Sequence, residues 1–375
     1  MAPARARSPS RAVLRHQRHA RVTSLAFVNV CVDIASRAKA MALVTAGEDG
    51  ATRAWDVASR RERWDSSSFD EPVIAIARVG DDTEDVLAHT RSGAIVRMNV
   101  RSGTRAMETR GRDVASFCKV ASDERGRCAR AMDSDGGLEV LRTCDGEVVM
   151  NARARGGMRG KEEGERAGMA TCCAFVAGAE ALFAGYEDGS VILWRFDDNG
   201  AEAKEVWRRR THREAVLCVA VDKMGEGAVT GGADGATTRY AVDVERLKRI
   251  DVGTMREGEE FDDIVRIVRT HAPYASVVSA SCKQPGIGAV AIRGDGKIVA
   301  CGCWDGKIRV YEYKAKSKGR ILAVLKYHEN AVTDVAFAPD GSLLASAARD
   351  GDVALWEIFP NKNETPSTPS ANEHE

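Results

Sequence analysis

The sequence predicts an all-β fold, a seven-bladed β-propeller closed into a ring by an N-terminal strand. Three observations predict it. A hairpin unit recurs seven times at a spacing near 43 residues. Within each unit a short apolar run precedes a tight turn with glycine at its end. Three of the seven units also carry a histidine and a hydroxyl at matching places, and the other four carry neither.

The repeat appears when the chain is aligned on an acid or Ser followed by Gly, with a large apolar or aromatic residue five positions later. Seven segments fit: GEDGATRAW, TRSGAIVRM, DSDGGLEVL, YEDGSVILW, GADGATTRY, CWDGKIRVY and ARDGDVALW. Their glycines are Gly50, Gly93, Gly136, Gly189, Gly235, Gly306 and Gly351, at intervals of 43, 43, 53, 46, 71 and 45 residues. The longer intervals place insertions after the third and fifth units. A period of about 40–45 residues ending in a Trp-Asp-like dipeptide, Trp55-Asp56 here, resembles the WD repeat.

Each unit reads as four strands. VTSLAF (22–27), VLCVAV (216–221) and VTDVAF (332–337) are innermost strands, and ALVTAG and LLASAA are buried second strands. Asp-Gly then makes a hairpin, because Gly accepts a positive φ and Asp hydrogen-bonds its own turn. A third strand ends on the aromatic or apolar residue. A lone four-stranded sheet exposes two edges and an apolar face, whereas a ring of blades covers its faces.

The polar pattern tests the alignment independently. His19, His212 and His328 precede the innermost strands of units 1, 5 and 7. Thr45, Thr230 and Ser346 stand four residues before the turn acids Asp49, Asp234 and Asp350 of those same units. The other units have Ala88, Ala131, Ala184 and Cys301 there. A buried imidazole and a buried hydroxyl need each other, so they are kept or lost together. The expected sets are His19, Thr45, Asp49 and Trp55; His212, Thr230, Asp234 and Tyr240; and His328, Ser346, Asp350 and Trp356.

Unit 7 has only a short segment after Trp356, so it lacks its own outermost strand. RAVLR (11–15) fills that place and latches the ring. The expected organisation is a flexible tail over 1–10, one propeller over 11–360 and a disordered polar tail over 361–375. The insertions fall near 153–168 and 251–285. The first is charged and Gly-rich, as a surface loop requires. In the second, EGEEFDD reads as a solvated loop, and DIVRIVRTHAPYASVV as apolar chain packed on the propeller flank or open to a partner. Arg208, Arg209 and Arg210 read as a solvated edge.

Composition excludes several classes. Lys plus Arg and Asp plus Glu are both 55, so net charge makes no case for nucleic acid or anionic membrane as partner. No apolar run approaches the roughly 18 residues that span a bilayer. The Arg- and Ser-rich start, without an acid before Asp33, has the composition of a transit peptide, but the first strand opens at Val22 and leaves little room for one. The ten cysteines form no C-x-x-C pair and mostly sit in apolar runs, so reduced, packed thiols are expected. Asp133-Ser134-Asp135 starts like a calcium loop yet coincides with the third repeat's turn and lacks the flanking helices. P-loop, H-E-x-x-H and G-x-S-x-G motifs are absent. No enzyme, cofactor or metal site is expected.

GYEDGSVILW (185–194), PGIGAVAIRGDGKIVACGCWDGKIRVYEY (285–313) and ALWEIFP (354–360) resemble one WD-repeat branch. It is the family of G-protein β-subunit-like protein 1 and fungal ASTRA-associated protein 1, with a plant relative linked to cell-to-cell trafficking. The resemblance implies a non-catalytic scaffold in the cytoplasm and nucleus, and the propeller is expected to be monomeric by itself. It further implies work with the co-chaperone machinery that matures phosphatidylinositol-3-kinase-related kinases, hence a link to DNA damage and chromatin. Two other classes are a cullin-type ubiquitin-ligase substrate receptor and a G-protein β-like adaptor. The receptor needs a Trp-Asp-x-Arg box, and Trp55-Asp56-Val57-Ala58 lacks the Arg. A true β subunit needs a coiled-coil helix, and the N-terminus has no heptads.

Residues just before each turn are expected on one rim, facing solvent: Glu48, Arg91, Tyr186, Glu187, Trp304 and Arg349. An exposed Trp or Tyr there buries large area at little entropy cost, which makes Trp304 the first candidate for a partner contact, with packing against a neighbouring blade as its other reading.

Overall fold

A computed structural model of the chain describes residues 11–15, 20–33, 38–64, 68–80, 83–111, 117–132, 136–153, 167–197, 203–256, 259–271, 286–313 and 320–358. Among these residues the backbone forms seven four-stranded antiparallel sheets, the blades of a propeller. Blade 4 shows the plan. Ala170–Phe175 lies innermost, followed outward by Ala181–Tyr186, Ser190–Phe196 and Ala203–Arg210. Both central strands are buried along their whole length, since each face of the blade packs on a neighbour. That explains why ALFAGY and SVILWRF show no polar alternation.

The ring closes through blade 7. Its sheet takes Arg11–Arg15 as the outermost strand, antiparallel to Asp352–Glu357, with Val13 opposite Ala354 and Leu14 buried. Adjacent blades are also joined near the axis by side-chain hydroxyls. Thr333 Oγ1 donates to the Val22 carbonyl (2.6 Å), which links blade 7 to blade 1. Thr23, at the same repeat position in blade 1, donates to the Val73 carbonyl of blade 2 (2.5 Å). Thr171 does the same from blade 4 to the Val216 carbonyl of blade 5.

The turn glycines have a double reason to be glycine. Gly189 adopts φ +87°, and a Cβ there would lie 2.2 Å from the His212 carbonyl oxygen of the following connection. Both the dihedral and the close approach exclude a side chain. Apart from exposed Cys144 and half-buried Cys31, the described cysteines are buried, and all of them are free thiols. Burial pushes the Cys128 thiol up to about 12 and raises Cys172, Cys218 and Cys301 well above the ordinary range, which makes these four packing groups rather than nucleophiles.

The second insertion differs from the sequence expectation. Val265–His271 is no appendage but the outermost strand of blade 5, paired with Thr237–Val242. The chain before it, starting with a short helix at Val244–Lys248, straps the outer strand of blade 4. Phe261 N–H donates to the Val206 carbonyl (2.8 Å), and Lys204 Nζ donates to the Val252 carbonyl (2.7 Å). Val252, Met255 and Ile264 are buried here. The acidic stretch is not simply solvated, because Arg209 pairs with Glu260 (3.2 Å) and Asp262, and Arg246 with Asp263. These contacts cover an edge strand that would otherwise be open to pairing. The tails, most of the first insertion, 272–285 and Asp133–Asp135 lie outside the described residues.

Candidate functional site on the rim of the Asp-Gly turns

The rim rests on hydrogen-bonded sets that fix each turn to its blade. In blade 5, His212 Nδ1 lies 3.1 Å from Asp234 Oδ1 and Nε2 lies 2.8 Å from Thr230 Oγ1. Thr230 Oγ1 is 3.0 Å from the Tyr240 hydroxyl, itself 2.7 Å from Thr211 Oγ1. A carboxylate only accepts, so His212 Nδ1–H donates to Asp234 and Nε2 accepts from Thr230. Burial alone would raise the Asp234 carboxyl. Hydrogen bonds from His212 and from the Arg213 and Ala236 amides outweigh it and hold the group at about 2.

Blade 7 repeats the arrangement. His328 Nδ1 lies 3.1 Å from Asp350 Oδ2, Nε2 lies 2.8 Å from Ser346 Oγ, and Trp356 Nε1–H donates to Ser346 Oγ (3.0 Å). In blade 1, Trp55 Nε1–H donates to buried Thr45 Oγ1 (3.0 Å), while the Ala51 amide donates to Asp49 (3.1 Å). His19 lies outside the described residues.

Blades without the set solve the same problem with other side chains. In blade 4 Ala184 replaces the hydroxyl, and Trp194 Nε1–H donates instead to the Tyr186 hydroxyl (3.3 Å). Tyr186 O–H in turn donates to the Gly136 carbonyl of blade 3 (3.3 Å). Tyr186 is therefore fully buried, not on the rim as expected from its place before the turn. The indole needs an acceptor, and the phenol two residues along the strand supplies it. Tyr186→Phe is expected to destabilise the fold by about 1–2 kcal/mol by orphaning that donor, read from chemical denaturation midpoints.

Blade 6 uses charge. The Asp305 carboxylate, nearly inaccessible, takes a two-pronged contact from Arg309 (2.8 and 3.0 Å) and a contact from Lys307 (3.1 Å). In blade 2 the turn residue Ser92 donates through its amide (2.8 Å) and hydroxyl (2.6 Å) to the Glu71 carboxylate. Sequence reasoning missed these replacements. Their signals were an aromatic two residues after the missing hydroxyl and an arginine three residues after the turn glycine.

The remaining rim candidates are placed as follows. Glu48 is exposed and pairs with Arg21 (3.5 Å). Glu187 is exposed and accepts from the Met169 amide (2.9 Å). Arg349 is exposed, and Arg91 is exposed with its guanidinium 5.9 Å from the Phe117 ring. Phe117, 72% exposed, is a rim aromatic the repeat pattern did not flag. Trp304 is half-buried, lying flat on the backbone of Gly286 and Gly288. A Cβ at Gly286 would sit 2.2 Å from the indole, so Gly-x-Gly here is a seat for a tryptophan. The structure thus gathers a fixed indole, an exposed Phe and several charges on one face. The arrangement can hold another protein's side chains. Among the described residues no group of His, Cys, Asp and Glu is arranged to hold a metal ion, and no helix is long and apolar enough to cross a membrane.

Comparison with known proteins agrees with this geometry. The pattern of the WD domain, G-beta repeat, matches residues 276–312 and 319–357, the region of blades 6 and 7. The chain is 31% identical over 179 residues to mouse guanine nucleotide-binding protein subunit beta-like protein 1, covering 48% of this chain and 44% of that protein. It is 27% identical over 187 residues to ASTRA-associated protein 1 of Schizosaccharomyces japonicus, covering 48% and 44%. Against WD repeat-containing protein 55 of Bos taurus it is 25% identical over 201 residues, covering 53% and 44%. The match thus spans less than half the length of these relatives. In fold, the chain is similar to the β-propeller domain of Cps50 (Swd1) from Myceliophteria thermophila, with TM-score 0.71 and 13% identity over 93% of this chain and 100% of that one. The chain is a seven-bladed β-propeller that carries WD40 repeats over residues 276–312 and 319–357, with homologues of modest identity named Gβ-like protein 1, ASTRA-associated protein 1 and WD repeat-containing protein 55.

Proposed function

We propose that this chain is a non-catalytic scaffold of an ASTRA-like assembly, assisting the co-chaperone complex that matures phosphatidylinositol-3-kinase-related kinases in the cytoplasm and nucleus. The observation that carries this reading is the similarity to ASTRA-associated protein 1, found with the fission-yeast and several other fungal proteins of that name. The partner contact is assigned to the turn rim around Trp304. Its indole is held on Gly286 and Gly288, so little conformational freedom is lost when a partner covers it. Exposed Glu187, Arg91 and Arg349 supply polar contacts around the same face.

Affinity purification of the tagged full chain with mass spectrometry tests the reading. Subunits of a kinase co-chaperone assembly are the expected companions. A cullin adaptor would instead identify a ligase receptor, and a G-protein γ subunit would identify a β-like adaptor. Trp304→Ala is expected to reduce recovery of the companions about tenfold or more while the thermal unfolding midpoint stays nearly unchanged. Equal recovery from a folded variant would remove Trp304 from the contact.

A further inference from the structure

The innermost strands place one repeat position of every blade against the central channel. By the alignment of the repeats these residues are Ser24, Ala75, Lys119, Cys172, Cys218, Ala289 and Asp334 in blades 1 to 7. Six of these are small, or short enough to stay on their own side, and the seventh is a lysine. One acid and one base therefore stand in a single ring of equivalent positions, three blades apart. All but Ala75 line a cavity of about 210 Å³ at the axis.

We propose that Lys119 and Asp334 form an internal cross-tie, a second closure of the ring that acts independently of the outer strand Arg11–Arg15. Lys119 Nζ reaches across the channel to Asp334 Oδ2 (3.0 Å) and to the Thr333 carbonyl (2.9 Å). The same Asp334 oxygen accepts from Ser24 Oγ (2.6 Å) and the Leu25 amide (3.1 Å) of blade 1. Ser24 Oγ in turn accepts from the Ile76 amide of blade 2 (3.1 Å). One carboxylate thus collects blades 7, 1, 2 and 3.

Blade 3 is where such a tie is needed. Its innermost strand is only Ala121–Ser122, against six residues in the innermost strands of blades 2, 4, 5, 6 and 7. With few ladder bonds to hold it, the Cys118–Ser122 segment depends on side chains for its position against the axis. Lys119 supplies a charge-assisted anchor, partly shielded from solvent and so screened less by salt than a surface pair.

Amide hydrogen exchange on the full chain tests this. Lys119→Met keeps the length of the side chain and removes the charge. It is expected to accelerate exchange about tenfold or more in Cys118–Ser122 and also in Val332–Phe337 on the far side of the channel, with Ala181–Phe196 of blade 4 unchanged. Asp334→Asn is expected to accelerate the same two segments. Acceleration confined to the mutated blade in either variant, or no acceleration, overturns the cross-tie. Should the Asp334 variant fail to fold, the reach of the Lys119→Met effect into blade 7 decides alone.

Discussion

Thr230→Val is expected to destabilise the protein by about 3 kcal/mol, measured as a shift of the urea unfolding midpoint at unchanged slope. The substitution conserves shape, so the loss is one of hydrogen bonding and not of packing. It removes the group that holds both His212 Nε2 and the Tyr240 hydroxyl. His212 is then left with a buried nitrogen and no partner, and buried polar atoms cost most when half a network is deleted. Tyr240 retains Thr211, which limits the damage at that end. The loss of Thr230 also frees Asp234 to drift, because its histidine partner is no longer held from behind. A change below about 1 kcal/mol would mean that packing, not the polar chain, fixes the blade 5 turn.

The protein is expected to lose about 2 kcal/mol of stability between pH 7.5 and pH 5 through His89 alone. His89 is buried between blades 2 and 3, and its Nδ1 has no hydrogen-bond partner. Burial, and then the nearby Arg130 guanidinium, push it from the ordinary 6.5 down to about 3, with the Glu71 carboxylate opposing weakly. Above pH 6.5 the ring is neutral whether the chain is folded or not, and the contribution is complete. As pH falls below 6.5 the unfolded chain takes up a proton that the folded chain refuses until about pH 3, so stability falls through that window. The carboxyl of Asp234, held at about 2, acts in the same sense in a lower window, losing its contribution only as pH drops below 3.8. His89→Met, which copies the residue at the matching place in blade 3 (Met132), is expected to flatten the curve between pH 7.5 and 5. An equally steep curve in that variant would assign the loss to other groups.

His89 also shows where sequence reading stops. The matching position is glycine in blades 4, 5 and 6, and each of these glycines touches the next blade. A Cβ on Gly185, Gly231 or Gly302 would lie 2.6 Å from Val216, Ile287 or Val332 respectively. Blade 3 has no regular inner strand at that point, and the space left is filled by an imidazole. The repeat alignment marks His89 as different, but its burial depends on how blade 3 fails to pair, which is a long-range fact. Tyr186 carries the same lesson in reverse. Its place before a turn reads as exposed, yet an indole without an acceptor draws it inward. For Trp304 the sequence left a free rim side chain and a packed one both open, and the structure seats the indole on two glycines that precede it by 18 and 16 residues.

By itself the sequence determined the number of blades, the turn glycines, the closing strand and the membership of the His–hydroxyl–Asp sets of blades 5 and 7. Each of these follows from a local pattern repeated along the chain, so the chain supplies its own comparison. Tertiary structure alone decided which side chains replace a missing set, which blade carries the strap, and which charges meet across the channel. Those pairings join blades distant in sequence, as Lys119 and Asp334 do. They depend on the ring geometry that brings such positions within hydrogen-bond reach, and no local period encodes that geometry.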